Sequence, residues 1–172
     1  MSASVKEGFG QIAGFLSSSF KRRLFFISIL AVVALTEFFV LGLARRTFVF
    51  YTVSDGVLVV EDRMLKHSES REGDIIRYTE ETLLGPVAPG LLPLFPRETR
   101  LKSLLYRNGV VYADFSADAA LPPIEGGRTI DNFRTFYAGI LRNFSYVNDV
   151  RFFIEGNVIF TEDFLQKPAS VW

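Results

Sequence analysis

The chain has 172 residues, with 19 Lys and Arg balanced by 19 Asp and Glu, and nearly half of its residues are apolar. This composition excludes an intrinsically disordered protein, which is poor in apolar residues, and a nucleic-acid binder that relies on bulk positive charge. The absence of cysteine excludes disulfides, thiolate metal sites, a cysteine nucleophile and a cysteine-linked lipid. Because His67 is the single histidine, multi-histidine metal sites are excluded too, and the composition argues against an enzyme.

Residues 24–43 form an apolar stretch of the length needed to cross a bilayer as a helix. Fourteen of these 20 residues are Leu, Ile, Val or Phe, and together they favour insertion by about 4–8 kcal/mol. Glu37 opposes insertion by about 2.5–3.5 kcal/mol, so the balance still predicts a single transmembrane helix. The alternative is a cleaved signal peptide, whose apolar run is usually shorter.

Basic residues near the predicted span indicate its orientation. Within about 20 residues on either side, four basic residues precede the span and three follow it. The positive-inside rule therefore favours a cytoplasmic tail at residues 1–23 and an exported C-terminal part. Glu37 has two interpretations: it pairs with a polar group on a partner helix, or it reaches the membrane interface or becomes protonated.

Beyond the predicted span, one domain is expected over residues 46–165, followed by a tail at residues 166–172. Asp74 is the expected N-cap of the first domain helix, and Gly85-Pro86 is its expected end. The ββαββαββ order predicts an α/β (α+β) fold in which two helices pack on one mixed sheet of about five or six strands. In chain order, the pattern predicts strands at 47–53 and 57–60, a helix at 74–84, strands at 101–107 and 110–115, a helix at 129–144, and strands at 150–154 and 158–160.

Four segments of this domain share a pattern with a known family. They are a helix that ends in Leu-Leu-Gly-Pro, a Pro-x-x-Thr turn before a strand, a hairpin, and a strand with a Gly turn: Glu81–Pro86, Phe95–Thr99, Arg107–Ser116 and Asp149–Gly156. Through these segments the chain resembles the GerM domain family of spore germination and sporulation, over about residues 46–159. Glu98 stands where that family usually has glycine. The resemblance implies a bacterial extracytoplasmic domain without known catalysis, which takes part in envelope-spanning assemblies.

No motif in the chain carries catalytic chemistry, so the candidate functional residues are surface residues. His67 lies in a polar stretch, and a solvated loop histidine is the favoured interpretation over a catalytic base. A proline-rich segment would present apolar side chains to a partner at low entropic cost, although Leu92 and Phe95 could instead cover the core. The outer edge of the sheet is a further candidate. The candidate interaction residues are Glu37, Leu91, Leu92, Leu94, Phe95, Phe164 and Trp172.

The sequence therefore predicts a membrane-anchored, extracytoplasmic protein–protein interaction or scaffold module of a bacterial envelope assembly, such as a sporulation, flagellar or secretion machine. The expected partners are other envelope proteins, in a homo- or hetero-oligomer, and the inner membrane through residues 24–43. The alternative is a module that binds peptidoglycan or another cell-wall glycan through an aromatic-lined groove. We expect no catalytic residue, cofactor, metal or nucleic-acid partner.

Overall fold

The computed structural model describes residues 19–123 and 129–160, apart from the side chains of residues 37–41. The chain divides into two units, Met1–Leu43 and Ala44–Trp172. The helices are α1 (Ser19–Leu41), α2 (Arg71–Leu84) and α3 (Thr129–Asn143), with a short 3₁₀ helix at Ala117–Ala120. The strands are β1 (Leu43–Thr52), β2 (Leu58–Lys66), β3 (Leu91–Leu92), β4 (Leu101–Arg107), β5 (Val110–Phe115), β6 (Asp149–Ile154) and β7 (Asn157–Ile159).

Helix α1 covers most of the stretch that was predicted to span a membrane. It begins at Ser19, so the three basic residues at 21–23 belong to the helix, and its described uncharged stretch is Leu24–Thr36, which is 13 residues. Among the described residues, no helix has both the length and the apolar character that a bilayer crossing requires. The prediction of a transmembrane helix at residues 24–43 is therefore wrong.

The second unit contains two sheets instead of the single mixed sheet that was predicted. Their strand orders are β2-β1-β3 and β4-β5-β6-β7. β3 pairs with only the end of β1, where Leu92 lies opposite Tyr51. Further back along β1, the side-chain amide of Asn143 accepts a hydrogen bond from the N–H of Thr47 (2.8 Å) and donates one to its carbonyl (2.7 Å). Because these backbone groups are already bonded, no strand can pair with β1 there, and the two sheets stay separate.

The four-stranded sheet contains both antiparallel and parallel pairs. β4 and β5 form an antiparallel hairpin around Asn108 and Gly109, whose φ values of 52° and 82° are those of the expected two-residue turn. α3 lies between β5 and β6 in the chain and allows these two strands to run parallel. β6 and β7 turn back on each other at Glu155 and Gly156. The hairpins predicted at these two positions are confirmed.

The two domain helices differ in how well the sequence predicted their starts. α2 begins earlier than expected because Ser70 is its N-cap, and the Ser70 hydroxyl accepts a hydrogen bond from the N–H of Gly73 at 3.0 Å. Asp74 lies within the helix, so its prediction as the cap is wrong. The predicted end is confirmed, since Gly85 follows the last helical residue with a φ of 84°. The predicted start of α3 at Thr129 is also confirmed.

Aromatic rings form much of the core between the helices and the sheets. Tyr78 of α2 stacks on Phe48 of β1, with ring centroids 4.7 Å apart, and meets the edge of Phe144 at 5.6 Å. Phe95, from the proline-rich segment, contacts Phe133 of α3 at 5.0 Å. Burial of this much apolar surface is the main source of the domain's stability. The buried rings are Phe48, Phe50, Tyr78, Phe95, Phe115, Phe133, Phe136, Phe144 and Phe152.

Replacing Gly139 by alanine tests how tightly this core is packed. A Cβ atom at position 139 would lie 2.4 Å from the hydroxyl oxygen of Tyr78, whose ring is held by its stacking on Phe48. We expect Gly139→Ala to lower the free energy of unfolding by about 1–3 kcal/mol, although alanine favours helix. Urea denaturation measures the change.

The neighbouring substitution Ala138→Gly is the control for this experiment. It removes helix propensity without adding an atom, and it should cost about 1 kcal/mol. A Gly139→Ala variant as stable as the wild-type chain would contradict the close approach of α2 and α3.

Candidate protein-interaction surface

A short connection between α2 and β3, residues 85–90, is called the strap here. Val87 in the strap and Leu84 just before it are 79% and 78% exposed, the two highest values among the described large hydrophobic side chains. Pro86 and Pro89 keep this segment out of regular secondary structure, because proline cannot donate a backbone hydrogen bond. The strap therefore holds two large apolar side chains in solvent.

The strap is fixed along its length by hydrogen bonds to the β1–β2 hairpin. The Arg63 guanidinium donates to the carbonyl of Gly85 at 2.7 Å. The Glu61 carboxylate accepts the N–H groups of Val87 and Ala88 at 3.2 and 3.1 Å. At the far end, the N–H of Val53 donates to the carbonyl of Gly90 at 2.9 Å. These bonds give an irregular segment a defined position.

Arg63 is the centre of this arrangement. Its guanidinium pairs with Glu61 at 2.6 Å and with Glu81 of α2 at 3.1 Å. It also lies over the ring of Phe48, 4.7 Å from the centroid, which is a favourable cation–π distance. The side chains of Arg63 and Glu61 are only 12% and 14% exposed, so water screens their attraction weakly. The ion pair and the strap are parts of one hydrogen-bonded network.

The protonation state of Glu61 follows from the same contacts. Burial acts to raise the pKa of the Glu61 carboxyl, but the Ala88 N–H, the charge and hydrogen bond of Arg63 and the Val87 N–H outweigh it. The pKa is therefore lower than the usual value for glutamate, and the carboxylate stays charged at neutral pH. A charged acceptor makes stronger hydrogen bonds to the strap than a neutral one would.

The strap and the tip of the β1–β2 hairpin together present an apolar surface. Val53, whose backbone bonds to Gly90, is also largely exposed. Leu84, Val87 and Val53 are called the strap surface below. Their backbones are held by α2, by Glu61 and by Gly90, so the side chains lose little backbone freedom on meeting a partner.

The structure separates the residues predicted in the proline-rich segment. Leu94 and Phe95 are buried in the core, where Phe95 packs against Phe133. A partner cannot reach them without unfolding, so the alternative in which Phe95 covers the core is the correct one. Leu91 and Leu92 are half-buried in β3, beside the strap, and their contact with a partner stays a prediction.

Three other predicted interaction residues lie outside the described part of the chain. These are Phe164 and Trp172, together with the side chain of Glu37. The strap surface itself was missed at the sequence level. The Gly85-Pro86 signal marks the end of a helix, but it does not say that the side chains on either side of it face solvent.

His67 has an orienting partner that the sequence did not reveal. Its Nδ1 lies 2.9 Å from Oδ2 of Asp74, and the other carboxylate oxygen of Asp74 accepts the N–H of Ser68 at 2.6 Å. Arg46 approaches the same carboxylate at 3.7 Å. Within residues 19–123 and 129–160, the other ring nitrogen has no hydrogen bond to a nucleophile, and no cluster of three metal-ligating side chains forms. These contacts hold the β2–α2 connection against the first turns of α2.

The same contacts determine the direction in which the pKa of Asp74 is shifted. Burial acts to raise it, but the hydrogen bonds from Ser68 and His67 and the charges of His67 and Arg46 outweigh burial, so the pKa is lowered. A lowered carboxyl pKa stabilises the folded state above the pKa of the unfolded chain, and this contribution is lost as pH falls through the folded-state pKa.

Asp74→Asn tests that contribution. We expect it to lower the free energy of unfolding at pH 7 by about 1–3 kcal/mol, because it removes a charged hydrogen-bond acceptor. The difference from the wild-type chain should shrink as the pH falls through the lowered folded-state pKa of Asp74, where the wild-type carboxylate also loses its charge. Urea denaturation at several pH values measures both effects, with exposed Glu69→Gln as the control. A difference that stays constant with pH would contradict the assignment.

Arg63→Ala tests whether the Arg63–Glu61 ion pair holds the strap. The variant leaves the half-buried Glu61 without its cation, and we expect a loss of about 1–3 kcal/mol in the free energy of unfolding, because the carboxylate keeps some contact with water. Arg45→Ala on the neighbouring strand is the matched control, because Arg45 is exposed and exposed pairs contribute little. If both variants were equally stable in urea denaturation, the strap would not depend on Arg63.

Comparison with known proteins identifies a family for this chain and solved structures with a similar fold. Residues 49–159, more than half of the chain, match the family Germane, described as sporulation and spore germination. The search of curated proteins gave no significant match. The structure is similar to the first GerMN domain of the sporulation protein GerM from Bacillus subtilis, with a TM-score of 0.50 and 20% identity over 66% of this chain and 85% of that one.

The tandem GerMN domains of the same Bacillus subtilis protein are also similar. The TM-score is 0.51 at 17% identity, and the match covers 67% of this chain but only 40% of the tandem-domain chain. At these identities the likeness shows the fold. The family match covers the last four residues of β1 and all of β2 to β7, including the strap and its anchors on β2. The chain therefore belongs to the Germane family of sporulation and spore germination.

Proposed function

We propose that this domain is a non-catalytic protein-binding module of a sporulation or germination assembly, and that it contacts its partner through the strap surface. The observation that carries the proposal is the exposure of Val87 in the strap and of Leu84 just before it, where the half-buried Arg63–Glu61 pair holds the strap in place. The extracytoplasmic location implied by the GerM resemblance is part of the proposal. The family match favours sporulation or germination over a flagellar or secretion machine.

The strap surface has the properties of the centre of a small interface. Burying a leucine or valine side chain contributes about 1.5–3 kcal/mol, so two such side chains supply much of a moderate affinity. The surface is already ordered by Glu61 and Arg63, and ordering costs on binding are correspondingly small. Among the described residues of the second unit, eight of the ten phenylalanine rings are buried in the core and unavailable to a glycan, which is why a protein partner is proposed.

The double variant Leu84→Asp with Val87→Asp tests the proposal in the native host. Carboxylates cannot enter an apolar interface without a large desolvation cost, so we expect the variant to reproduce the sporulation or germination defect of a gene deletion. The readout is the frequency of heat-resistant spores that germinate. Because both side chains are exposed, the purified variant should unfold at the same urea concentration as the wild-type chain.

Leu121→Asp is the matched control, since Leu121 is an exposed leucine outside the strap. It should support normal spore formation. Full function of the double variant, with the protein present at its normal level, would contradict the role of the strap surface.

A further inference from the structure

Among the residues that the structure describes, no strand pairs with the outer edge of β2. It is the terminal strand of the three-stranded sheet, and it is nine residues long. On β4, a terminal strand of the other sheet, a side chain covers part of the edge: the Glu72 carboxylate accepts the N–H of Tyr106 at 2.8 Å. On β2, the described side-chain contact to the backbone is at its last residue, where Arg77 donates to the carbonyl of Lys66 at 2.8 Å. An exposed strand edge can accept a strand from another chain.

The sequence of β2 is complementary to itself when two copies run antiparallel. With the two-fold axis at Asp62, Val60 of one copy lies opposite Met64 of the other. Both side chains project from the exposed face of the strand, where they are 46% and 57% exposed. Cross-strand apolar pairs of this kind stabilise a sheet and remove the exposed area of both residues.

Charges on the other face select this register. The same pairing places Glu61 of one copy opposite Arg63 of the other, and vice versa. A shift of one residue would place the inner face of one strand against the outer face of the other. A shift that moves the axis to a neighbouring inner-face residue would place Glu61 against Glu61 or Arg63 against Arg63, which is unfavourable. The register centred on Asp62 pairs these opposite charges and brings all nine residues of β2 opposite one another. An axis at Met64 would place Asp62 opposite Lys66, but it would pair only residues 62–66.

The two Asp62 side chains meet at the axis, and each arrives with its own cation. Within one copy, Arg45 contacts the Asp62 carboxylate at 2.5 Å and the hydroxyl of Thr47 donates to it at 2.9 Å. The axis therefore carries two arginine–carboxylate pairs instead of two uncompensated carboxylates. Arginine at this position offsets the repulsion that the register would otherwise bring.

We propose that two copies of this chain associate through the open edge of β2, in antiparallel register centred on Asp62, so that two three-stranded sheets become one sheet of six strands. This association is isologous, because the same strand serves on both sides of the axis. It goes beyond the proposed function, since it uses a strand edge and not the strap surface. A dimer of this kind would carry two strap surfaces and could hold two partners.

Single-cysteine variants of the full chain test the register directly, because the natural chain has no cysteine. Val60→Cys and Met64→Cys chains, each oxidised alone, should give little disulfide-linked dimer. When the two are mixed before oxidation, the dimer yield should rise several-fold, because position 60 of one copy then faces position 64 of the other. If the mixture gave no more disulfide-linked dimer than either variant alone, the proposal would be overturned. This holds even if the chain formed a dimer through another surface.

A second measurement does not depend on disulfide geometry. Sedimentation velocity of the full chain should show a dimer that is lost in the double variant Val60→Lys with Met64→Lys, since like charges then face each other. Val158→Lys, which charges an exposed valine on the edge strand β7, should leave the dimer intact. A dimer that persists in the lysine double variant with native circular dichroism, or a wild-type chain that is monomeric, would also overturn the proposal.

Discussion

The half-buried guanidinium of Arg63 is the group on which the proposed surface depends. It neutralises Glu61, reaches Glu81 on α2 and lies over the ring of Phe48, so one side chain connects the hairpin, a helix and the aromatic core. Its hydrogen bond orients the Glu61 carboxylate, which accepts two N–H groups of the strap. Removing Arg63 would leave this carboxylate without its cation in a site that water screens weakly, which ties the position of the strap to the stability of the domain.

This constraint explains how a segment without secondary structure can present a surface of defined position. Proline-rich connections are usually found at the surface, where their order varies. Here the connection is held at both ends and in the middle by the β1–β2 hairpin, while its apolar side chains remain outside the core. The backbone N–H of Val87 is hydrogen-bonded to Glu61 while the side chain of Val87 is exposed, so an apolar side chain in solvent is attached to a fixed backbone.

Local signals in the sequence predicted most of the individual elements. Asn108-Gly109 and Glu155-Gly156 fix hairpins because their residues tolerate positive φ, and Gly85 ends a helix for the same reason. The number of sheets could not be predicted in this way. It depends on Asn143 bonding the backbone of Thr47, two residues that are 96 positions apart in the chain. An asparagine near the end of a helix gives no local sign of such a contact.

The sequence predicted the region of the candidate site but not the residues that form it. Leu91 and Leu92 lie next to the strap, but Leu94 and Phe95 in the same segment are core residues. Burial of an apolar residue in a loop depends on what the rest of the chain places beneath it, here Phe133 of α3. Periodicity and hydropathy do not carry this information.

Amide hydrogen exchange at Val87 and Ala88 in the wild-type chain tests the central claim most directly. Both amides are bonded to the half-buried Glu61 carboxylate, so their exchange should be far slower than that of an unstructured peptide, although the Val87 side chain is highly exposed. Exchange of both amides at the rate of an unstructured peptide would show that the strap is not held in place, and the account of the strap surface would then fail.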